Sequence, residues 1–244
     1  GDIAQSAREI DFAMRWGYGW DKGPFEDWQA AGVTQVANWI KEDIDAGKTL
    51  SKEPLPAWLF SGPVTEKQAF HTPEGSWSAS ENKYVPRSNL PVYQKQVFRA
   101  PLLGDGSPDP KTAGTTIYEN PDLRAWVDQA QPDVLIASFR SKMNTISPDV
   151  LNGIQKAIEI AEANYEGLVI WQPSSLKLGT PGGPFSAGAN LEAALPMVMK
   201  GGPAGVEPFV KLFQDTMMRV KYSQVPVISA VSGIALGGGC ELVM

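Results

Sequence analysis

Residues 226–242 read Pro-Val-Ile-Ser-Ala-Val-Ser-Gly-Ile-Ala-Leu-Gly-Gly-Gly-Cys-Glu-Leu, and this stretch decides the fold of the second half. Val225 to Val231 is a short apolar run rich in β-branched residues, the pattern of a buried strand. Gly237, Gly238 and Gly239 then make a turn, and Glu241 stands one turn into an expected helix. Glycine adds no side chain, so a ligand can come close to the backbone there. A helix start leaves N–H groups unpaired and carries a positive partial charge. Phe185-Ser-Ala-Gly-Ala-Asn-Leu, residues 185–191, offers a second run of small residues after a Gly/Pro-rich loop at 180–184. Two such donors meeting from separate segments would make an oxyanion hole, with Glu241 projecting a carboxylate toward the same space.

Working outward, Val134 to Phe139 predicts a strand. Ser147 before Pro148 predicts a helix start, with serine as N-cap and proline in the first turn. Val150, Leu151, Ile154, Ile158 and Ala161 carry one apolar face to about Tyr165. Leu168 to Trp171 is a short strand, and Phe209, Leu212, Phe213, Met217 and Val220 mark a second amphipathic helix. Strand, helix, strand, helix, strand is an α/β layout around a buried sheet.

The rest of the chain differs. Residues 1–53 contain one proline and four of the eight tryptophans, whereas residues 54–132 contain eleven of the twenty prolines. Ile3, Ala7, Ile10, Ala13 and Met14 recur at helical spacing until Gly17 and Gly19. Val33, Val36, Ala37, Ile40 and Ile44 do so again until Gly47. Between them Pro24 suits the first turn of a short helix. The expectation is three parts: an all-helical segment at 1–53, a Pro-rich linker at 54–132, and an α/β part at 133–244.

The chain has 244 residues, a formal charge of −6, one histidine and one cysteine. That acidic balance disfavours a nucleic-acid binder, and no apolar run is long enough to span a membrane. One histidine and one cysteine cannot make a Cys/His zinc site or an intramolecular disulfide, so no metal is expected. The start lacks the features of a signal peptide, and a cytoplasmic location is the expectation. Gly17, Gly19 and Gly23 follow a helix rather than a strand and have the wrong spacing for a dinucleotide loop. His71 reads as an exposed linker histidine and Cys240 as a small core residue rather than a nucleophile. The first tryptophans read as core and interface filler, and Glu42, Asp43 and Asp45 as the solvated face of a helix.

At Ser-Ala-Gly-Ala-Asn (186–190) and at residues 226–242 the chain resembles the crotonase (enoyl-CoA hydratase/isomerase) superfamily. Arg140-Ser-Lys-Met-Asn-Thr-Ile (140–146) looks like that family's entry to its first helix. Residues 9–15 and 17–26, ending in Gly-Tyr-Gly-Trp-Asp-Lys-Gly-Pro-Phe-Glu, resemble the helical C-terminal domain of 3-hydroxyacyl-CoA dehydrogenases. Dehydrogenase followed by hydratase is the order in one class of bifunctional fatty-acid β-oxidation enzymes. The resemblance implies part of a 6-phosphogluconate-dehydrogenase-like C-terminal domain, the linker, and a truncated crotonase-like ββα spiral. It implies that Ala189 and Gly238 hold the thioester oxygen by their N–H groups, and that Glu241 is one of two acid/base glutamates. Ala187 and Lys142 match the positions that hold the CoA adenine and neighbouring phosphates.

Departures from the family pattern are Asn190, where aspartate is usual, and a longer loop at 172–184, which is expected to alter the rim of the acyl pocket. On this resemblance the second glutamate lies beyond Met244, and the NAD domain with its His–Glu pair precedes Gly1. The expectation is therefore the middle of a larger enzyme, nearly inactive alone. Its substrate would be an acyl-CoA thioester, with NAD required only by the complete dehydrogenase. Its contacts would be with another copy or with the missing domains. Two rivals stay open: a crotonase-family isomerase, and a non-catalytic interaction module of the same fold.

Overall fold

The computed structural model describes residues 3–94, 96, 98–173 and 183–244. The described residues form two compact units, the first within residues 3–108 and the second within residues 109–173 and 183–244. Part of the loop expected at 172–184, residues 174–182, lies outside the described residues.

The first unit opens with three helices: α1 (Ala7–Tyr18), α2 (Pro24–Ala31) and α3 (Val33–Asp45). Glu9 starts α1 by accepting bonds from the Ser6 N–H (2.6 Å) and hydroxyl (2.7 Å). Gly19, at φ 70°, ends it in the left-handed conformation that glycine adopts without strain. The helical spacing holds, but the face that is buried differs from expectation. Ala7, Asp11 and Arg15 are buried, whereas Ile3 and Ile10 are exposed. Glu42, Asp43 and Asp45 do face solvent. Of the first tryptophans Trp28 packs against the core, while Trp16, Trp20 and Trp39 are exposed.

The expected linker is folded, and it divides between the two units. In the first unit it supplies a 3-10 turn at Ala57–Leu59, α4 (Pro63–Lys67), β1 (His71–Thr72), β2 (Gly75–Ser78), β3 (Lys83–Val85) and α5 (Pro91–Gln94). The three strands pair antiparallel in the order β1-β2-β3. Leu59, Val64, Phe70 and Trp77 join Ala7, Val33 and Ala37 in one apolar cluster. The physical reason is plain: three short helices bury too little apolar surface against one another, and residues 54–108 complete their core.

His71 is correspondingly not exposed but fully buried. Its Nε2 lies 2.7 Å from Asp11 and its Nδ1 2.8 Å from the Ser76 hydroxyl. Asp11 also accepts the N–H groups of Phe25 (2.8 Å) and Glu26 (3.1 Å) at the start of α2. A side chain at Gly23 would fall 2.3 Å from Asp11, so only glycine fits that approach. Beside it Arg15 pairs with Glu26 at 3.2 Å and donates to the Pro101 carbonyl at 2.9 Å.

The second unit begins inside the same expected linker. β4 (Thr115–Asn120) and β5 (Leu123–Asp128) form a hairpin whose turn is held by Asn120, which accepts the N–H groups of Asp122 (3.0 Å) and Leu123 (2.8 Å). β6 (Gln131–Phe139) pairs antiparallel with β5 and parallel with β7 (Gly167–Trp171), which pairs parallel with β8 (Val227–Ala230). The sheet order is β4-β5-β6-β7-β8.

Helix α6 (Pro148–Asn164) starts as expected, with the Ser147 hydroxyl accepting the Val150 N–H. Its apolar face, Leu151, Ile154 and Ile158, is buried in one core with Leu123, Leu135 and Ile170 of the sheet. Burying each such side chain contributes roughly 1.5–3 kcal/mol. Helix α7 (Leu191–Lys221) contains a break at Gly202, and α8 (Gly238–Val243) follows the glycine turn. Among the described residues no helix is long and apolar enough to cross a membrane.

Candidate active site

The segment 185–190 lies between two others in the second unit. On one side the Ile146 N–H donates to the Gly188 carbonyl (2.8 Å), the Asn190 N–H to the Ile146 carbonyl (2.8 Å) and the Ala187 N–H to the Met143 carbonyl (3.2 Å). On the other, the Ser186 N–H donates to the Ile234 carbonyl (3.2 Å) and the Leu236 N–H to the Ser186 carbonyl (2.9 Å). Ile146 thus bridges Ala189, and Ser186 bridges Ala235, each in parallel fashion. The buried Ser186 hydroxyl accepts the Gly188 N–H at 3.1 Å and tightens the turn.

This pairing consumes the donors on either side of Ala189 and leaves its own free. Among the described residues the Ala189 N–H meets no protein acceptor. The Gly238 N–H is likewise unpaired, as the first turn of a helix requires. A β-carbon on Gly238 would sit 3.5 Å from the Ala189 nitrogen, so the two donors are neighbours. Glycine is demanded around them. Gly188 holds φ +92°, and a β-carbon there would fall 2.7 Å from the Leu236 carbonyl oxygen. One on Gly239 would lie 2.7 Å from the Ser186 β-carbon and 2.8 Å from its carbonyl oxygen.

Ala189, Gly238 and Glu241 line one cleft of about 740 Å3. Its wall is the face of α7 that carries Phe209, Val210, Phe213, Met217 and Met218. The geometry therefore joins two unpaired backbone donors, an exposed carboxylate and an apolar trough. Donors fixed beforehand favour an oxygen that gains charge during reaction, and the trough suits an aliphatic tail. Phe213 and Met217 are functional candidates that the sequence reading placed only on the apolar face of an amphipathic helix. Their helical spacing gave no sign that one end of the face would border a cleft.

Ala187 and Lys142 come together through the bond from Ala187 to Met143, the residue after Lys142, which is itself exposed. Neither lines the cleft of Ala189 and Gly238. A second cleft of about 860 Å3 includes Arg140, Met143 and Asn144 together with Lys111 and Arg124. Burial lowers the pKa of Arg124, and the nearby charge of Arg140 adds to that. Asn190, the departure from the family pattern, accepts the Ala193 N–H at 3.1 Å and caps α7. Cys240 is exposed rather than a core residue, because the first turn of α8 buries Gly239 and turns its neighbour outward.

Gly17, Gly19 and Gly23 connect the end of α1 to the start of α2. Helix α1, rather than a strand, leads into them, which is not the setting of the phosphate loop that a dinucleotide such as NAD needs. Ser76, His71 and Asp11 have the order of a nucleophilic triad, but all three are buried. Their bonds hold the β1-β2 hairpin to α1.

Residues 134–244 match the family model described as enoyl-CoA hydratase/isomerase. Over 99% of its length the chain is 34% identical to a Bacillus subtilis (strain 168) protein named "Probable 3-hydroxyacyl-CoA dehydrogenase", of which it covers 27%. Over 110 residues, 44% of the chain and 13% of the relative, it is 33% identical to the "Peroxisomal bifunctional enzyme" of Cavia porcellus. Among solved structures it is similar to an enoyl-CoA hydratase/isomerase from Xanthobacter autotrophicus Py2, at 24% identity and a TM-score of 0.41. That match covers 51% of this chain and 43% of the other. The chain spans about a quarter of the length of the curated relatives that match it throughout.

Proposed function

We propose, from the match of residues 134–244 to the enoyl-CoA hydratase/isomerase family model, that this chain binds acyl-CoA thioesters as part of a bifunctional 3-hydroxyacyl-CoA dehydrogenase and enoyl-CoA hydratase of fatty-acid β-oxidation. The observation that carries the reading is the pair of unpaired N–H groups at Ala189 and Gly238, open to a cleft that Glu241 also lines. The thioester oxygen sits between the two donors. When water adds across the conjugated double bond, charge builds on that oxygen and the donors stabilise it. Losing one donor of this kind raises the barrier by about 3 kcal/mol. Glu241 orients the water and takes its proton. Lys142 and the Ala187 carbonyl hold the adenine and phosphate end of CoA, and the α7 trough takes the acyl tail. Support for the dehydrogenase half comes from the sequence resemblance at residues 9–15 and 17–26 and from the name of the B. subtilis relative.

Position 238 allows a direct test. It is the first helical position of α8, where proline is tolerated, so Gly238→Pro deletes the N–H without breaking the helix. Gly238→Ala keeps the N–H and controls for contact with Phe213. Titration with acetoacetyl-CoA is expected to show saturable binding that is weakened roughly 100-fold by Gly238→Pro and far less by Gly238→Ala. Absence of binding by any CoA ester, or equal effects of the two variants, overturns the reading.

A further inference from the structure

The first unit holds a cleft of about 810 Å3 that the reading above does not use. It is lined by Arg8, Arg87 and Arg99 and by the rings of Phe12, Trp16 and Tyr93. Phe12 and Trp16, one helical turn apart on α1, stack with centroids 4.5 Å apart and planes 4° from parallel. Trp16 is nonetheless 62% exposed, so most of its indole is open to a further ring. The Arg87 guanidinium lies 5.8 Å from the Phe12 centroid, and that of Arg99 5.8 Å from the Tyr93 centroid.

The charges converge. Burial lowers the pKa of Arg87 against its ion pair with Asp105, and the charges of Arg8 and Arg99 push it further in the same direction. Two carboxylates offset the three cations. Glu9, in the cleft, pairs with Arg8 at 3.3 Å, and Asp105 pairs with Arg87. Arg99 is aimed by carbonyls alone, those of Tyr93 (3.1 Å) and Ser88 (3.0 Å). Arg8 keeps one buried nitrogen, Nη1, without a hydrogen-bond partner. The cleft therefore has an excess positive charge and an open aromatic face within a volume suited to a small ligand.

We propose that this cleft binds a nucleoside diphosphate, the base stacked on Trp16 and the phosphates held by Arg8 and Arg99. Guanidinium groups match phosphate oxygens in geometry as well as charge, and base stacking on an aromatic ring is worth about 1–3 kcal/mol. An acidic peptide is the other anion to consider. It would be served by cations spread along a groove, whereas these cations line one cleft beside a flat ring and Arg8 and Arg99 are both close enough to act on the charge of Arg87. The same diphosphate occurs free or as one end of a larger cofactor.

The test is calorimetric titration of the chain with ADP, beside adenosine and pyrophosphate alone. ADP is expected to bind saturably and to weaken with added salt, and either half of it to bind roughly tenfold or more weakly. Arg99→Ala and the surface variant Trp16→Ala are each expected to cost roughly tenfold in affinity, whereas Lys142→Ala leaves this binding in place. CoA bound by the Lys142→Ala chain through Arg99 and Trp16 assigns the diphosphate to a larger cofactor, and binding of ADP alone assigns it to the free nucleotide; both sustain the site. Absence of ADP binding overturns the proposal. So does binding that depends on Lys142 but not on Arg99 and Trp16, and so does a glutamate-rich peptide that takes the cleft where ADP does not.

Discussion

The two units use polar groups in different ways. In the first, Asp11, Arg15, Glu26 and His71 are buried and bonded to one another or to backbone, and the triad-like set at Ser76, His71 and Asp11 is sealed. In the second, buried polar groups such as Ser138, Gln172 and Thr216 are also bonded, but two backbone donors, the N–H groups of Ala189 and Gly238, are left unpaired beside a cleft. A constellation of reactive side chains is thus no guide to chemistry when every member is already bonded. Two backbone donors with nothing to bond are a better one.

The largest effect that could break this contrast is expected at Asp11. Asp11→Ala strips His71 and two N–H groups of their partner inside the core and should destabilise the first unit by about 3–5 kcal/mol. Urea unfolding followed by hydrogen exchange would locate the loss in residues 3–108, and retained protection there would show the network to be dispensable. A smaller effect is expected at Gly239. The added β-carbon of Gly239→Ala presses on the Ser186 backbone and should cost about 1–3 kcal/mol. Because it parts the two donors, acetoacetyl-CoA binding should fall more than the melting temperature does. An equal fall in both would reduce the glycine turn to packing.

The smallest effect sharpens the comparison on the second unit's surface. Glu162 is held at a pKa of about 2 by hydrogen bonds from Arg219 and from the Gln224 N–H, against an ordinary 4.5. Its stabilising contribution is complete above pH 4.5 and disappears as pH falls toward 2. Acid titration of the melting midpoint should show a modest decline across that window in the native chain, and a flatter one in Glu162→Gln. Identical curves would discharge the pair of any role.

Much of the second unit was legible because its elements are long enough to show a period. The face of α6, its cap at Ser147, the strands at 134–139 and 168–171 and the glycine turn all follow from spacing. The meeting of Ala189 with Gly238 was legible only through the family resemblance, since spacing says nothing about which loops touch. The first unit defeated periodicity for two reasons. Its strands have two to four residues, too short for alternation to register. Its first helix buries aspartate and arginine, which a hydrophobicity pattern assigns to solvent. The hairpin at 115–128 was missed differently: the Asn120 turn was present, but neither strand alternates and proline content marked the whole stretch as linker.

One consequence concerns how this site tolerates change over generations of sequence. Its donors are main-chain atoms, so residue 189 could vary in side chain while the donor stays in place. Drift should instead be forbidden at Gly188, Gly239 and Ser186, none of which need touch a substrate. A saturation-mutagenesis map of this region would then show Gly188, Gly239 and Ser186, one layer behind the donor, tolerating fewer letters than Ala189 itself.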